Sequence, residues 1–119
     1  MNRKNSQYLV ENFPNLYQDC ARSPRESNMA FGFECSDGWF ELLKELSEKL
    51  EPQGVVASQV KEKFGGLRFY LRGGATDAVW DLIDEAENKS EEICELCGQP
   101  GKLRGKSWVQ TLCAKCSKE

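Results

Sequence analysis

The sequence predicts an α+β fold: a small antiparallel sheet packed by helices, followed by a C-terminal four-cysteine zinc hairpin. Three observations lead there. Three stretches repeat apolar residues at helical spacing, a β-branched and aromatic stretch at about 55–72 is interrupted by a glycine pair, and the last quarter holds two Cys-x-x-Cys pairs. With 119 residues, the chain is long enough for one modest core and a small appendage. The expected organisation is an α+β core over 1–93 and a zinc-ribbon-like element over 94–119, packed on the same domain.

Within YLVENFPNLYQDC, Leu9, Val10, Phe13, Leu16 and Tyr17 follow a helical stripe that Pro14 interrupts. A short helix, or two turns hinged at the proline, is expected. CARSPRESN is polar and punctuated by Pro24, so it reads as a loop. In MAFGFEC, Phe31, Phe33 and Cys35 alternate with the period of a short strand. Ser36 and Asp37 offer capping oxygens to a helix whose stripe is Trp39, Leu42, Leu43, Leu46 and Leu50, and Pro52 and Gly54 end it.

VVASQVKEKFGGLRFYLRGG reads as a hairpin with Gly65-Gly66 as a two-residue turn. That register sets Phe64 opposite Leu67, Lys63 opposite Arg68 and Val60 opposite Leu71. Lys61, Lys63, Arg68, Tyr70 and Arg72 then face outward, while Glu62 falls on the inner face with Val60, Phe64 and Phe69. A carboxylate there is out of place, and a misassigned register or an edge position is the simplest account. Thr76 is a natural N-cap for a final helix with Val79, Leu82, Ile83, Ala86 and Ile93 on one face and Asp77, Asp81, Asp84, Glu91 and Glu95 on the other.

The cysteines carry the chemistry. Cys94 and Cys97 are separated from Cys113 and Cys116 by fifteen residues, enough for a hairpin that returns the chain to a shared metal. Each pair supplies two thiolates from one tight turn, and Gly98 suits the positive φ such a turn often needs. Disulfides are the competing use. They belong to oxidising compartments, and the start, MNRKNSQYLVENF, has no apolar run that would direct secretion. A cytoplasmic setting and a structural zinc are therefore expected, with Cys20 and Cys35 as small buried apolar residues. The apolar runs are also far shorter than the roughly 20 residues a membrane span needs.

The sequence contains no histidine, which removes imidazole-based hydrolases. Glu34, Asp37 and Glu62 with Lys61 or Lys63 are the material for a nuclease-like site, at no diagnostic spacing. The glycine pairs match neither a dinucleotide fingerprint nor a phosphate-binding loop. Net charge is −3, yet it is uneven: segments 61–74 and 98–119 are basic and 75–97 is strongly acidic. Two candidate partner surfaces follow. One is the outward hairpin face of Lys61, Lys63, Arg68, Tyr70 and Arg72; the other is Lys102, Arg104, Lys106 and Trp108, which alternate onto one face if that stretch is extended.

Taken together, FGFECSDGWFELL, QVKEKFGGLRFYL and CELCGQPGKLRGKSWVQTLCAKC resemble a group of small proteins encoded by tailed bacteriophages and prophages. The resemblance covers roughly residues 30–117. In that group the fourth ligand is often histidine, where this chain has Cys116, so the site here is all-thiolate. The resemblance implies a bacterial cytoplasm and an accessory role in infection, and it implies no activity. The leading expectation is a non-catalytic interaction protein that binds a host or phage protein, with inhibition of a host defence as one such role. A nucleic-acid-binding accessory protein is the second, and a small nuclease the third.

Overall fold

The computed structural model of the protein describes residues 1–117, so the last two positions of the expected zinc element, 118 and 119, lie outside the described residues. In chain order the elements are helix α1 (Arg3–Asn12), strand β1 (Phe33–Glu34), helix α2 (Phe40–Leu50), strands β2 (Ala57–Lys63) and β3 (Gly66–Leu71), helix α3 (Asp77–Ser90), and strands β4 (Lys102–Arg104) and β5 (Gln110–Leu112). The first three strands form one sheet in the order β1-β2-β3, and β4 pairs with β5 separately. The class is α+β, as the sequence predicts. One strand departs from the all-antiparallel expectation: β1 runs parallel to β2, with Phe33 beside Val60. A parallel pair needs a crossover, and α2 supplies it.

Helix α1 starts before its apolar stripe because Asn2 caps it, accepting from the Asn5 N–H. It ends at Asn12, since Phe13, preceding Pro14, is pushed out of the helical region to φ −129°. The stripe still reaches the core, and Leu9, Phe13, Leu16 and Tyr17 are all buried. Phe31 is not in the strand expected for it. Asn28–Phe31 forms a 3-10 turn, Gly32 at φ +75° redirects the chain, and the Phe31 ring is exposed. Asp37 also departs from expectation: it accepts from the Asn2 N–H at 2.7 Å and Asn5 Nδ2 at 3.1 Å, joining the starts of α1 and α2. Ser36 makes no side-chain cap.

Trp39 and the leucines of α2 meet Val60, Leu67 and Phe69 of the sheet and Val79, Ile83 and Ala86 of α3 in one core. Tyr17 is sealed within it, edge-on to Phe33 at 4.8 Å, and its hydroxyl pairs with Ser47 Oγ at 2.6 Å. Each buried hydroxyl thereby satisfies the other.

The hairpin keeps the expected faces but not the expected turn. Lys63 pairs with Gly66, Glu62 with Leu67, Lys61 with Arg68 and Val60 with Phe69. The turn is Phe64-Gly65, both at positive φ (+53° and +84°), as a type I′ connection requires. Relative to the expected pairing the register moves by two residues, which leaves every side chain on its original side. A Cβ on Gly66 would lie 3.1 Å from Glu91 Oε2, the end of a flexible side chain that has to give by a few tenths of an ångström. Phe64 consequently leaves the inner face for the turn, and the like-charge pair is Lys61 with Arg68. Glu62 is explained: its carboxylate accepts the Gly65 N–H at 2.7 Å and braces the turn.

Helix α3 lies along the outer side of β3. Ser90 Oγ accepts the Leu67 N–H at 2.8 Å and Glu87 Oε2 accepts the Phe69 N–H at 2.9 Å. Thr76 caps the helix by accepting from Val79, as expected. Because the helix stops at Ser90, Ile93 falls in the following bridge, paired with Pro100. Glu95 is buried, not part of an acidic outer face.

Candidate metal centre

The first Cys-x-x-Cys turn leaves α3 directly. Cys94 N–H donates to Gln99 O at 2.7 Å, Gly98 N–H returns to Cys94 O at 2.9 Å, and Gly98 holds φ +83°. The second turn follows β5, where the Cys116 N–H points at Cys113 Sγ at 3.3 Å. Strands β4 and β5 join the two turns, with Leu103 opposite Thr111. The sulfurs of Cys94, Cys97, Cys113 and Cys116 all lie within 4.8 Å of one another. Four thiolates bonded at about 2.3 Å to a tetrahedral ion stand about 3.8 Å apart, and Cys97 Sγ to Cys113 Sγ is 3.6 Å. The donor set therefore fits a metal ion.

Electrostatics point the same way. Burial pushes the Cys94 thiol up, but the N–H groups of Cys113, Cys97 and Leu96 together outweigh it and bring it down to about 6. Cys113 is lowered chiefly by the Cys116 N–H. Cys116, surrounded by the sulfurs of Cys113, Cys97 and Cys94, is pushed up to about 12. Four thiols so placed cannot all ionise unless a cation stands between them. Cys20 and Cys35 are outside the cluster, and burial pushes them up to about 11 and about 12, the behaviour of unreactive thiols.

The segment Ser36–Trp39 grips the first metal turn. Ser36 N–H donates to Glu95 Oε2 at 2.9 Å, Gly38 N–H to Glu95 O at 2.6 Å, and Trp39 Nε1 to Ile93 O at 2.9 Å. A Cβ on Gly38 would overlap Cys94 O, so nothing larger than glycine fits. On the other side Thr111 Oγ1 donates to Gly65 O at 2.6 Å. These supports were not foreseen from the sequence. The available signal was Asp-Gly-Trp after a strand, where glycine has no helix-forming role.

The partner-surface candidates divide. Arg72 stays exposed but is committed to an ion pair, its Nε 2.9 Å from Asp19 Oδ2, a carboxylate that is 1% exposed and also held by Arg22 at 3.0 Å. Arg104 donates from Nε to Leu112 O at 2.9 Å. Lys102, Arg104, Lys106 and Trp108 do not share one extended face, because β4 ends at Arg104 and Gly105 turns the chain at φ +104°. Lys61 and Arg68 are half-buried across from one another, with Arg68 beside Glu87. Lys63, Tyr70, Lys102, Lys106 and Trp108 are exposed. The carboxylates considered for hydrolysis are engaged elsewhere: Asp37 holds α1, Glu62 braces the turn, and Glu34 accepts from Gln59.

Comparison with protein-family models, with curated proteins and with solved structures finds no match to this chain. Among the described residues, no helix is long and apolar enough to cross a membrane.

Proposed function

We propose that the chain is a non-catalytic, zinc-stabilised interaction protein, an accessory factor of the phage and prophage group its motifs resemble, acting in the bacterial cytoplasm by binding a host or phage protein. The observation that carries this reading is the four-sulfur cluster. A catalytic zinc keeps one position open for water or substrate, and four protein thiolates leave none. An all-sulfur set also selects zinc or iron over hard cations. The lack of histidine in the sequence and the internal engagement of Asp37 and Glu62 give further support.

Elemental analysis of protein prepared without added metal tests the first half, with about one zinc per chain expected for a closed site. Metal-free protein carrying two disulfides overturns it. Affinity capture from infected bacteria, identifying protein and nucleic acid alike, tests the second half. A stoichiometric protein complex that is lost when zinc is stripped is expected. Recovery of nucleic acid alone, with steep salt dependence, replaces this reading with a nucleic-acid-binding one.

A further inference from the structure

Phe64 breaks two local rules at once. Its φ of +53° lies in the left-handed region, where a bulky residue is an outlier and a type I′ turn ordinarily places Asn, Asp or Gly. Its ring is also 71% exposed, so burial gives no return for the strain. Strain of this kind, kept without burial in return, motivates a hypothesis of function at the position.

Trp108 is the second such residue. It sits in the turn between β4 and β5 and is 76% exposed. The two hairpin turns abut. Leu103, itself 45% exposed, packs so closely on Gly65 that a Cβ there would lie 2.5 Å from Leu103 Cδ2 and 3.3 Å from Val109 Cγ1. With Thr111 bonded to Gly65 O, the Phe64-Gly65 turn is clamped by the metal hairpin. The exposed apolar groups are thus held on a preorganised frame, the condition under which a few aromatic anchors dominate binding. Cations accompany both anchors: Lys63 Nζ lies 5.4 Å from the Phe64 ring centroid, and Lys106 shares the turn with Trp108. Among the described residues, neither lysine is in an ion pair.

We propose that the abutting hairpin turns form a docking surface for an acidic protein segment that carries apolar side chains. Phe64, Leu103 and Trp108 hold the apolar groups, and Lys63 and Lys106 meet the carboxylates. This rests on the reading of the chain as an interaction protein. A nucleic-acid strand fits less well. Leu103 offers no stacking face, and Arg72 and Arg104 are bonded to Asp19 and Leu112 instead of extending a cationic groove.

The test uses the intact metal-loaded protein and three labelled probes: a peptide alternating Glu with Leu and Phe, its counterpart with Lys for Glu, and oligodeoxythymidine. The acidic peptide is expected to bind tightest and to shift the Trp108 indole and Phe64 amide resonances. Trp108→Ser is expected to weaken it by about tenfold or more, the size of an anchor truncation. Phe64→Asn is expected to weaken it likewise while raising the unfolding temperature, because Asn suits the turn; misfolding then cannot account for the loss. Equal binding of both peptides, tighter binding of the oligonucleotide, or undiminished binding by the double variant that combines Phe64→Asn with Trp108→Ser overturns the proposal. A partner captured from infected cells that the double variant still holds also overturns it, and leaves the interaction reading standing. Failure of that reading shows separately, as metal-free protein or capture of nucleic acid alone.

Discussion

The core and the metal hairpin solve the same problem by different means. Around α2, β2 and β3, side chains such as Trp39, Leu43, Leu50, Val60 and Leu67 are removed from water completely. Between Cys94 and Ser117, by contrast, the buried residues are Cys94, Glu95, Thr111 and Leu112, and the strands are three residues each. A two-stranded ribbon of that size is marginal in water, and its apolar burial cannot offset the entropy of ordering it. On the reading proposed above, packing holds the core, whereas the hairpin would depend on a metal held by its four cysteines. The two meet at Gly38 and Trp39, so the comparison can be broken or sharpened there.

Metal removal is expected to have the largest effect. A structural zinc supplies about 10–16 kcal/mol in isolated zinc-finger peptides. Chelation or Cys97→Ser is therefore expected to abolish hydrogen-exchange protection across residues 94–116 while amides of α2 and β2 keep theirs. If both regions lose protection together, they are one cooperative unit and the comparison fails. Acid reaches the same state. The Cys94 thiol is depressed from 9.0 to about 6, so its thiolate contribution is complete above about pH 9 and lost as pH falls through about 6. Metal retention followed against pH is expected to hold at neutrality and to fail only at some pH below about 6, since a bound cation lowers its ligand thiols further.

Core truncation is next. Phe69→Ala is expected to cost about 3–5 kcal/mol and Leu67→Ala about 2–5 kcal/mol in denaturant unfolding, with metal content per folded chain unchanged. Loss of metal in these variants would show that packing holds the site together. Gly38→Ala probes the junction itself. Its Cβ collides with Cys94 O, and overpacking of this kind costs about 1–3 kcal/mol; both unfolding free energy and metal affinity are expected to fall. Arg68→Ala gives the smallest effect. Relief of the Lys61 repulsion and loss of proximity to Glu87 oppose one another, so a change within about 0.5 kcal/mol is expected.

The same division governs what the sequence reveals. Four cysteines at metal spacing name their own partners, because the ligand chemistry is local to the residue types. The stripes of α2 and α3 are equally legible, their period being a property of the helix. The turn was not, since Gly65 and Gly66 suit it equally well by local preference. What Gly65 meets in the fold, Leu103 and Thr111 of the distant hairpin, lies far along the chain and leaves no local trace. Arg72 and Arg104 looked like uncommitted charge for a related reason: a basic side chain says nothing of the buried Asp19 or the Leu112 carbonyl that engages it. The parallel pairing of β1 is likewise invisible in a strand of two residues.

The bonds from Ser90 and Glu87 to the Leu67 and Phe69 N–H groups give α3 a further consequence. A helix here occupies the place of a fourth strand. β3 carries Leu67, Phe69 and Leu71 in an alternating apolar run, the composition that recruits identical segments from other chains when its edge lies bare. Two side chains spend their acceptors on denying that edge to a second copy. A chain in which α3 has frayed loses this guard before it loses its core, which makes the integrity of α3 a determinant of aggregation and domain swapping, and closes β3 to any partner that binds by adding a strand.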